Sequence, residues 1–229
     1  MLVIAHRGAS AAFAENTLAA FAGAAALGAD GVELDVRRTA DGRLAVTHDA
    51  TLPDGGLVVE TAFAELPEHV TDLPRALDRC ASLGLVNIEI KNWPDDPDFD
   101  PSERLAADVV ALLDERGELG DGRNLISCFH LPTVDRVHEL APGLRTAWLV
   151  VRPEPPQEIV AAAAEHGHVA VHPHHAFVDE AFVRHAHDAG LAVNAWTCDE
   201  TERIRWLADV GVDGVVTNVP DVALAALNR

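Results

Sequence analysis

The sequence predicts an α/β fold, and within that class a closed, parallel (β/α)8 barrel. Eight short runs rich in β-branched residues alternate with eight longer, Ala-rich helical stretches along the 229-residue chain. The runs are apolar at nearly every position, which is typical of parallel strands covered on both faces. Eight such units average about 29 residues each, close to the minimum for this architecture. We therefore expect a single TIM-barrel domain over residues 1–229.

The apolar runs give the expected strands in order. They are Leu2 to Ala5, Gly31 to Val36, Leu85 to Ile90, Asn124 to Cys128, Arg145 to Val151, His168 to His172, Leu191 to Trp196 and Asp213 to Thr217. The stretches between them predict helices at about 15–28, 72–83, 101–116, 132–141, 155–166, 178–189, 199–209 and 220–228. Proline or a capping residue begins several of these, as at Pro101, Pro132 and Pro220.

One segment departs from the alternation after the second strand. Asp41-Gly42 is a hairpin turn signal, and it leads into a short run that ends in His48-Asp49. The chain then has no regular pattern until about Leu73. We expect a short insertion over about residues 49–73 that lies over one mouth of the barrel.

The charge of the chain excludes two classes of partner. It has 17 Lys and Arg against 37 Asp and Glu, a formal net charge of -20. This charge repels nucleic acids and anionic lipid surfaces. No apolar stretch approaches the ~18 residues of a membrane span, and His6 and Arg7 interrupt the first apolar run. We expect no nucleic-acid partner, no membrane insertion and no targeting segment.

The cysteines indicate a reducing compartment. Cys80, Cys128 and Cys198 are odd in number and form no CxxC pair. Disulfides are rare in the cytosol, so three free thiols and a cytoplasmic location are expected.

Three carboxylates fall on two strands that are otherwise apolar. Glu33 and Asp35 are two residues apart, so the strand pleat points both to the same face. The third strand repeats the pattern with Glu89 and Lys91 at its C-terminal end. Buried acids at this spacing need a cation or cationic side chains to neutralise them. An ordinary buried ion pair is the alternative for each pair alone.

The positions of the polar residues favour a barrel over the rival arrangement, an open doubly wound sheet. The first strand ends in His6 and Arg7, the seventh in Trp196, and the hairpin after the second in His48. An open sheet would place its site between two neighbouring loops. These strand ends meet at one point only if the sheet closes, and barrel active sites lie at that mouth.

The residue types at this mouth indicate phosphoester chemistry. Three carboxylates without Cys suit a hard cation, Mg²⁺ or Ca²⁺, better than Zn²⁺. Arg7 and Lys91 beside such a cation suggest an anionic substrate, and phosphate is the group they bind best. The imidazoles of His6 and His48 are suited to divide acid and base roles near neutral pH.

From Ile4 to Asp221 the chain resembles the glycerophosphodiester phosphodiesterase family. The motifs that carry the resemblance are His6-Arg7-Gly8, Glu15-Asn16-Thr17, Gly31-Val32-Glu33-Leu34-Asp35-Val36, His48-Asp49, Ile88-Glu89-Ile90-Lys91, Trp196-Thr197 and Gly211 to Asp221. Each motif alone is weak, but their order and spacing together are specific.

The resemblance implies a metal-dependent barrel enzyme that hydrolyses glycerophosphodiesters to sn-glycerol 3-phosphate and an alcohol. It implies one divalent cation on Glu33, Asp35 and Glu89, and His6 and His48 as general acid and base. It further implies that Arg7 and Lys91 contact phosphate and that Trp196 lines the glycerol end of the cleft. Packing at the rim of the barrel, without contact to substrate, is the alternative role for Trp196. Glu15 has two possible roles, a direct one in the site and the support of Arg7.

The chain departs from the family pattern at a few places. Ala14 replaces the usual proline before Glu15, and the insertion after His48 is shorter than in many members, which bears on the specificity for the alcohol. Cys198-Asp199 follows Trp196-Thr197 where the family often has an apolar residue and Asn, and strand four ends in Cys128-Phe129-His130. The leaving alcohol, the native ion and the oligomeric state are left open.

The second half of the chain contains a histidine-rich stretch. Seven histidines lie between His166 and His187. They are consistent with surface composition, with an accessory metal site, or with a hydrogen bond from His172 or His174 to substrate.

Two alternative functions stay open. The first is a related phospholipase D-like or phosphoinositide phospholipase C-like activity, and the second is a silent barrel that binds a phosphorylated metabolite.

Overall fold

Eight parallel strands close into a barrel in the computed structural model, which describes residues 1–152 and 155–229. The barrel strands are β1 (Leu2–Ala5), β2 (Gly31–Arg38), β5 (Leu85–Ile90), β6 (Asn124–Cys128), β7 (Arg145–Val150), β8 (Ala170–Pro173), β9 (Ala192–Ala195) and β10 (Gly214–Thr217). The order of hydrogen-bonded neighbours is β1-β10-β9-β8-β7-β6-β5-β2, and β1 pairs with β2 to close the ring. The predicted barrel is confirmed.

Eight α-helices surround the barrel in the described part of the chain. They are α1 (Leu18–Ala26), α2 (Leu73–Arg79), α3 (Arg104–Glu115), α4 (Leu131–Leu140), α5 (Pro156–Glu165), α6 (Glu180–Asp188), α7 (Thr201–Asp209) and α8 (Pro220–Ala226). No helix among these residues is long and apolar enough to cross a bilayer.

Two helices begin three residues later than the sequence predicts, because a residue with positive φ precedes each. Asn16 has φ +56°, and the Thr17 hydroxyl caps α1 by accepting a hydrogen bond from the Ala20 N–H. Glu103 has φ +57° immediately before α3. Left-handed residues cannot continue a helix, so the chain turns before each of these helices starts.

The segment after β2 forms a small antiparallel extension of the sheet. β3 (Leu44–Val46) pairs with the end of β2, and β4 (Thr71–Asp72) pairs with β3. Between β3 and β4 the chain contains two short 3-10 turns, Val58–Glu60 and Phe63–Glu65. This excursion brings His48 from β3 towards the C-terminal ends of the barrel strands.

The barrel interior changes from apolar to polar along its axis. A buried apolar cluster, formed only by strand residues, contains Ile4, Leu85, Leu125, Ala147, Ala170 and Val216. Two residues further along β5 and β6 come the buried polar side chains of Asn87 and Ser127, and β2 and β9 carry the buried Glu33 and Asn194. On β5 and β6 the apolar layer is therefore followed by polar groups towards the C-terminal ends.

Candidate active site

Three carboxylates converge towards the C-terminal mouth of the barrel. Glu33 and Asp35 lie on β2 and Glu89 on β5, and the strand register pairs Asp35 directly with Glu89. One oxygen of each carboxylate lies within 4.8 Å of an oxygen of the other two, and all three residues are buried. The structure thus brings the three expected metal ligands together.

The three carboxylates carry more negative charge than their surroundings neutralise. Burial raises the pKa of Glu33 well above its ordinary value, and repulsion by Asp35 and Glu89 adds to the effect. Burial also raises the pKa of Glu89, although Lys91 opposes this shift. Burial acts in the same direction on Asp35, but Lys91 and Arg7 outweigh it and lower the pKa of that group.

The carboxylates fit a hard divalent cation. Glu33 Oε2 accepts a hydrogen bond from the backbone N–H of Arg7 at 2.9 Å, whereas Glu33 Oε1 is buried and has no hydrogen-bond partner in the described residues. An oxygen-only donor set is the kind that Mg²⁺ and Ca²⁺ prefer. A buried carboxylate oxygen without a partner, beside two further carboxylates, is suited to such an ion.

Arg7 lies beside the carboxylates on the turn that follows β1. Its φ is +54° and Gly8 follows at +82°. The Arg7 Nε atom is 3.2 Å from Asp35 Oδ2, and Nη1 donates a hydrogen bond to Glu15 Oε1 at 2.9 Å. Of the two interpretations of Glu15, the structure favours support of Arg7.

Lys91 neutralises the opposite side of the carboxylate cluster. Its Nζ atom is 2.7 Å from Glu89 Oε1 and 3.7 Å from Asp35 Oδ1. Burial lowers the pKa of Lys91, but the two carboxylates more than compensate, so its pKa is raised. Lys91 is therefore a permanent cation at the position where the sequence reasoning expects a phosphate contact.

Asn16 is a site residue that the sequence reasoning did not single out. Its Nδ2 donates to Asp35 Oδ2 at 2.8 Å, and its Oδ1 accepts from the Asp35 N–H at 3.3 Å. The residue is 5% exposed. Both ends of one buried amide therefore hold Asp35 in place, and the signal for it is its position in the Glu15-Asn16-Thr17 motif.

His6 is held by a chain of hydrogen bonds through Asn218 to Asp199. The Asn218 amide nitrogen donates to Asp199 Oδ2 at 2.7 Å, so its Oδ1 faces His6 Nδ1 at 2.8 Å. His6 Nδ1 must then carry the proton, and Nε2, 3.9 Å from Glu33 Oε2, holds a lone pair. Burial lowers the pKa of His6, although the bond to Asn218 opposes the shift.

His48 lies on the loop after β3, anchored by Arg37. The His48 Nδ1 atom is 2.7 Å from Asp49 Oδ1. Arg37 Nε donates to the His48 carbonyl at 2.8 Å, and its Nη atoms pair with Asp96 and Asp98 at 2.8 and 2.6 Å. A buried guanidinium thus joins the loop of His48 to the loop after β5. The sequence reasoning did not single out Arg37.

A cleft of about 550 Å³ opens beside these groups. Its lining includes His48 and Lys91 on one side and Trp93, Phe129 and Asp96 on the other. The rings of Trp93 and Phe129 are in edge-to-face contact, with centroids 5.7 Å apart. The cleft therefore joins the imidazole of His48 and the ammonium group of Lys91 to an aromatic wall.

Trp196 lies next to this wall. Its ring contacts Phe129 edge to face at 5.3 Å, and its Nε1 donates to the His172 carbonyl at 2.7 Å. Phe129, which the sequence reasoning noted only as a departure from the family pattern, provides the surface that lines the cleft.

The two histidines proposed as alternative substrate contacts lie elsewhere. His172 is fully buried inside the barrel, and Nδ2 of Asn194 donates to its Nε2 at 2.9 Å. The His174 side chain accepts from the backbone N–H of Ala176, and its ring contacts Trp196 edge to face. Neither ring belongs to the lining of the cleft.

The comparisons with known proteins agree with this geometry. The model of the glycerophosphoryl diester phosphodiesterase family matches residues 6–222. The glycerophosphodiester phosphodiesterase of Caldanaerobacter subterraneus subsp. tengcongensis is 29% identical over 260 residues, covering 100% of this chain and 98% of that protein. That of Bacillus altitudinis is 29% identical over 250 residues, covering 97% and 96%.

Solved structures show the same similarity. An Oleispira antarctica phosphodiesterase, in complex with the product sn-glycerol-3-phosphate, superposes with a TM-score of 0.89 at 26% identity, covering 100% of this chain and 97% of the other. The glycerophosphodiester phosphodiesterase of Thermotoga maritima has a TM-score of 0.81 at 28% identity, covering 100% and 98%.

Proposed function

Because the chain belongs to the glycerophosphoryl diester phosphodiesterase family and is a phosphoric diester hydrolase, we propose that it converts water-soluble glycerophosphodiesters to sn-glycerol 3-phosphate and an alcohol. The observation that carries this proposal is the cluster of Glu33, Asp35 and Glu89 between two cations and beside His6. The product bound in the Oleispira antarctica phosphodiesterase supports glycerol phosphate as the part of the substrate that this mouth receives.

Glu33, Asp35 and Glu89 are the proposed ligands of one Mg²⁺ or Ca²⁺ ion. Bound there, the ion would supply positive charge to the phosphoryl oxygens. Arg7 and Lys91 supply further positive charge from either side of the cluster, and Asn16 keeps Asp35 oriented.

His6 is the proposed general base of the first step. Its Nε2 lone pair takes the proton from the glycerol hydroxyl next to the phosphoester, and that hydroxyl attacks phosphorus within the bound substrate. An attack inside one molecule benefits from a high effective molarity. The lowered pKa of His6 keeps the imidazole neutral, and the bond to Asn218 keeps its Nε2 unprotonated.

His48 is the proposed general acid, because it borders the cleft where the leaving alcohol departs. It protonates the oxygen of the leaving alcohol while the bond from phosphorus to that oxygen breaks. Water then opens the cyclic glycerol phosphate with the roles reversed: His48 takes a proton from water and His6 returns one to the glycerol oxygen.

The cleft beside His48 is the proposed site of the leaving alcohol. Trp93 and Phe129 offer apolar surface to it, and Trp196 supports Phe129. The short excursion between β3 and β4 leaves the cleft open to groups of different size. A cytoplasmic location is proposed with this function, because all three cysteines are free and buried.

The decisive experiment measures sn-glycerol 3-phosphate release from the glycerophospho derivatives of choline, ethanolamine, glycerol and inositol. Each substrate is assayed with Mg²⁺, Ca²⁺, Mn²⁺ or a chelator. The Glu89→Gln variant, purified identically, controls for contaminating phosphodiesterases. We expect turnover of at least one substrate with a divalent ion and none with the chelator.

Two further arms distinguish the alternative functions. Vesicles of phosphatidylcholine and of phosphatidylinositol test the phospholipase D-like and phospholipase C-like activities. Preferred turnover of vesicles would replace the proposed substrate class. Binding of sn-glycerol 3-phosphate without turnover of any diester would identify a silent barrel.

A further inference from the structure

A second cluster of metal-binding side chains lies on the outside of the barrel. Asp135 is on α4, His166 ends α5, and His168 precedes β8. His168 is thus at the N-terminal end of β8, opposite to the mouth that holds the carboxylates. One ligand atom from each of these three residues lies within 4.8 Å of the other two. We propose that Asp135, His166 and His168 bind a borderline transition-metal ion, with Zn²⁺ as the natural occupant.

Both imidazoles converge on a single carboxylate oxygen. Asp135 Oδ1 is 2.8 Å from His166 Nδ1 and 3.1 Å from His168 Nε2. Ligands at about 2.1 Å from a tetrahedral Zn²⁺ ion are roughly 3.4 Å apart, so each nitrogen needs to move only about 0.3 to 0.6 Å away from Asp135 Oδ1. Two imidazoles and one carboxylate form a donor set for Zn²⁺ rather than for Mg²⁺ or Ca²⁺.

The turn between the two histidines favours this convergence. Gly167 has φ +82°, and a Cβ atom at this position would approach His138 Nε2 to 2.8 Å. This positive φ favours glycine, and the turn presents His166 and His168 to the same carboxylate. His138 adds a third imidazole beside them, with its ring centroid 6.2 Å from that of His168.

Thr146 provides the supporting contact that metal-binding histidines require. The His168 side chain is fully buried, and its Nδ1 atom is 2.9 Å from Thr146 Oγ1. A hydroxyl both donates and accepts, so it serves either tautomer of His168. With Nδ1–H donated to Thr146, Nε2 presents its lone pair towards Asp135 and His166, as in other histidine metal sites.

The same protein contains an ordinary ion pair in which only one imidazole contacts the carboxylate. His187 Nε2 is 2.9 Å from Asp213 Oδ2, and this pair involves one imidazole whose carboxylate also accepts from the backbone N–H of Val193. This pair supplies a matched control, because it has the same chemistry without the second histidine. The open side of the proposed site, where His166 is 43% exposed, admits the ion from solvent.

The test is a Zn²⁺ titration of the full chain against a chromogenic chelator, with saturating Mg²⁺ for the carboxylate cluster. Asp135→Asn and His166→Ala are compared with the control His187→Ala. We expect His166→Ala and Asp135→Asn to weaken one Zn²⁺ equivalent at least about tenfold, and His187→Ala to leave it unchanged. Because His166 is half-exposed, its variant is expected to fold normally, and an unchanged far-UV spectrum would verify this.

Two more variants test the supporting contact to His168 and a competing Zn²⁺ site. Thr146→Val keeps all three ligands but removes the contact to His168, and should weaken Zn²⁺ binding about 10- to 100-fold. Cys198→Ala tests the cluster of His175, Cys198 and Glu200, a second histidine-containing cluster among the described residues that could hold Zn²⁺. The proposal is overturned if the wild-type chain binds no Zn²⁺, if Zn²⁺ binding is lost in Cys198→Ala and kept in His166→Ala, or if His187→Ala has the same effect as His166→Ala.

Discussion

The Asn218 side chain connects His6 to Asp199, accepting from His6 Nδ1 at 2.8 Å and donating to Asp199 Oδ2 at 2.7 Å. Asp199 Oδ1 also accepts from the Asn218 backbone N–H at 2.8 Å. Because the amide has only one orientation that satisfies both partners, the tautomer of His6 is determined. Through Asn218, Asp199 thus decides which nitrogen of His6 faces Glu33.

Asn218→Ala should lower kcat at least about tenfold, because His6 loses the partner that selects its tautomer; full loss of a general base costs 10²-fold or more. KM should change less than kcat. Ser10→Ala is the matched control, since the Ser10 hydroxyl donates to the same Asn218 oxygen at 2.9 Å. Steady-state kinetics of the three proteins would disprove the positioning role if Asn218→Ala kept the wild-type kcat or if Ser10→Ala lost as much.

The carboxylate cluster should bind a divalent ion and depend on all three members. Glu33→Gln, Asp35→Asn and Glu89→Gln should each weaken Mg²⁺ or Ca²⁺ binding and reduce the rise in Tm that the ion produces. Glu33→Gln should also raise Tm in chelator, because it removes repulsion from Asp35 and Glu89. Glu15→Gln removes a neighbouring charge outside the cluster and serves as the control. Unchanged ion affinity in all three variants would exclude these carboxylates as ligands.

Residues whose role follows from local pattern could be predicted, whereas those that act through distant partners could not. Glu33 and Asp35 share a face because of strand geometry alone, which the sequence expresses directly. Asp199 and Arg37 act through His6 and His48 by contacts between separate loops, and no local pattern encodes such pairings. Asp135 lies on the preceding helix, outside the histidine-rich stretch, so no local pattern pairs it with His166 and His168.

The buried His172 should make the protein less stable in mild acid. Burial lowers its pKa in the folded state to about 3, from the ordinary value of 6.5 for histidine. The unfolded chain therefore takes up the proton first, and the free energy of unfolding falls as pH drops below 6.5. At about pH 5 the loss amounts to about 2 kcal/mol relative to about pH 7.5.

Urea unfolding of the wild type, His172→Gln and the exposed control His69→Gln at both pH values measures this contribution. His172→Gln should reduce the loss of stability in acid, and His69→Gln should leave it unchanged. Identical pH dependence in His172→Gln and the wild type would show that His172 does not carry it.

The three thiols should be unreactive in the folded protein. Burial raises the pKa of Cys80 and Cys128 to about 12 and that of Cys198 to about 11, so the reactive thiolate is scarce at neutral pH. A thiol reagent should label none of them rapidly in native protein and all of them after denaturation without reductant. Fast native labelling, or fewer than three thiols after denaturation, would contradict this expectation.

The glycerol hydroxyl next to the phosphoester should be required for fast turnover. His6 Nε2 lies at the carboxylate cluster, 3.9 Å from Glu33 Oε2, and in the proposed mechanism its lone pair takes the proton of this hydroxyl. A substrate analogue in which hydrogen replaces this hydroxyl keeps the phosphate charge and the leaving alcohol. Its kcat should fall by several orders of magnitude, because attack within the substrate is lost. The analogue should still inhibit competitively with a Ki near the KM of the parent diester, since Arg7 and Lys91 still meet its phosphate. Turnover of the analogue at the normal rate would mean that water attacks phosphorus directly, with His6 or His48 activating it, and the cyclic glycerol phosphate would then be excluded while the hydrolase assignment remained.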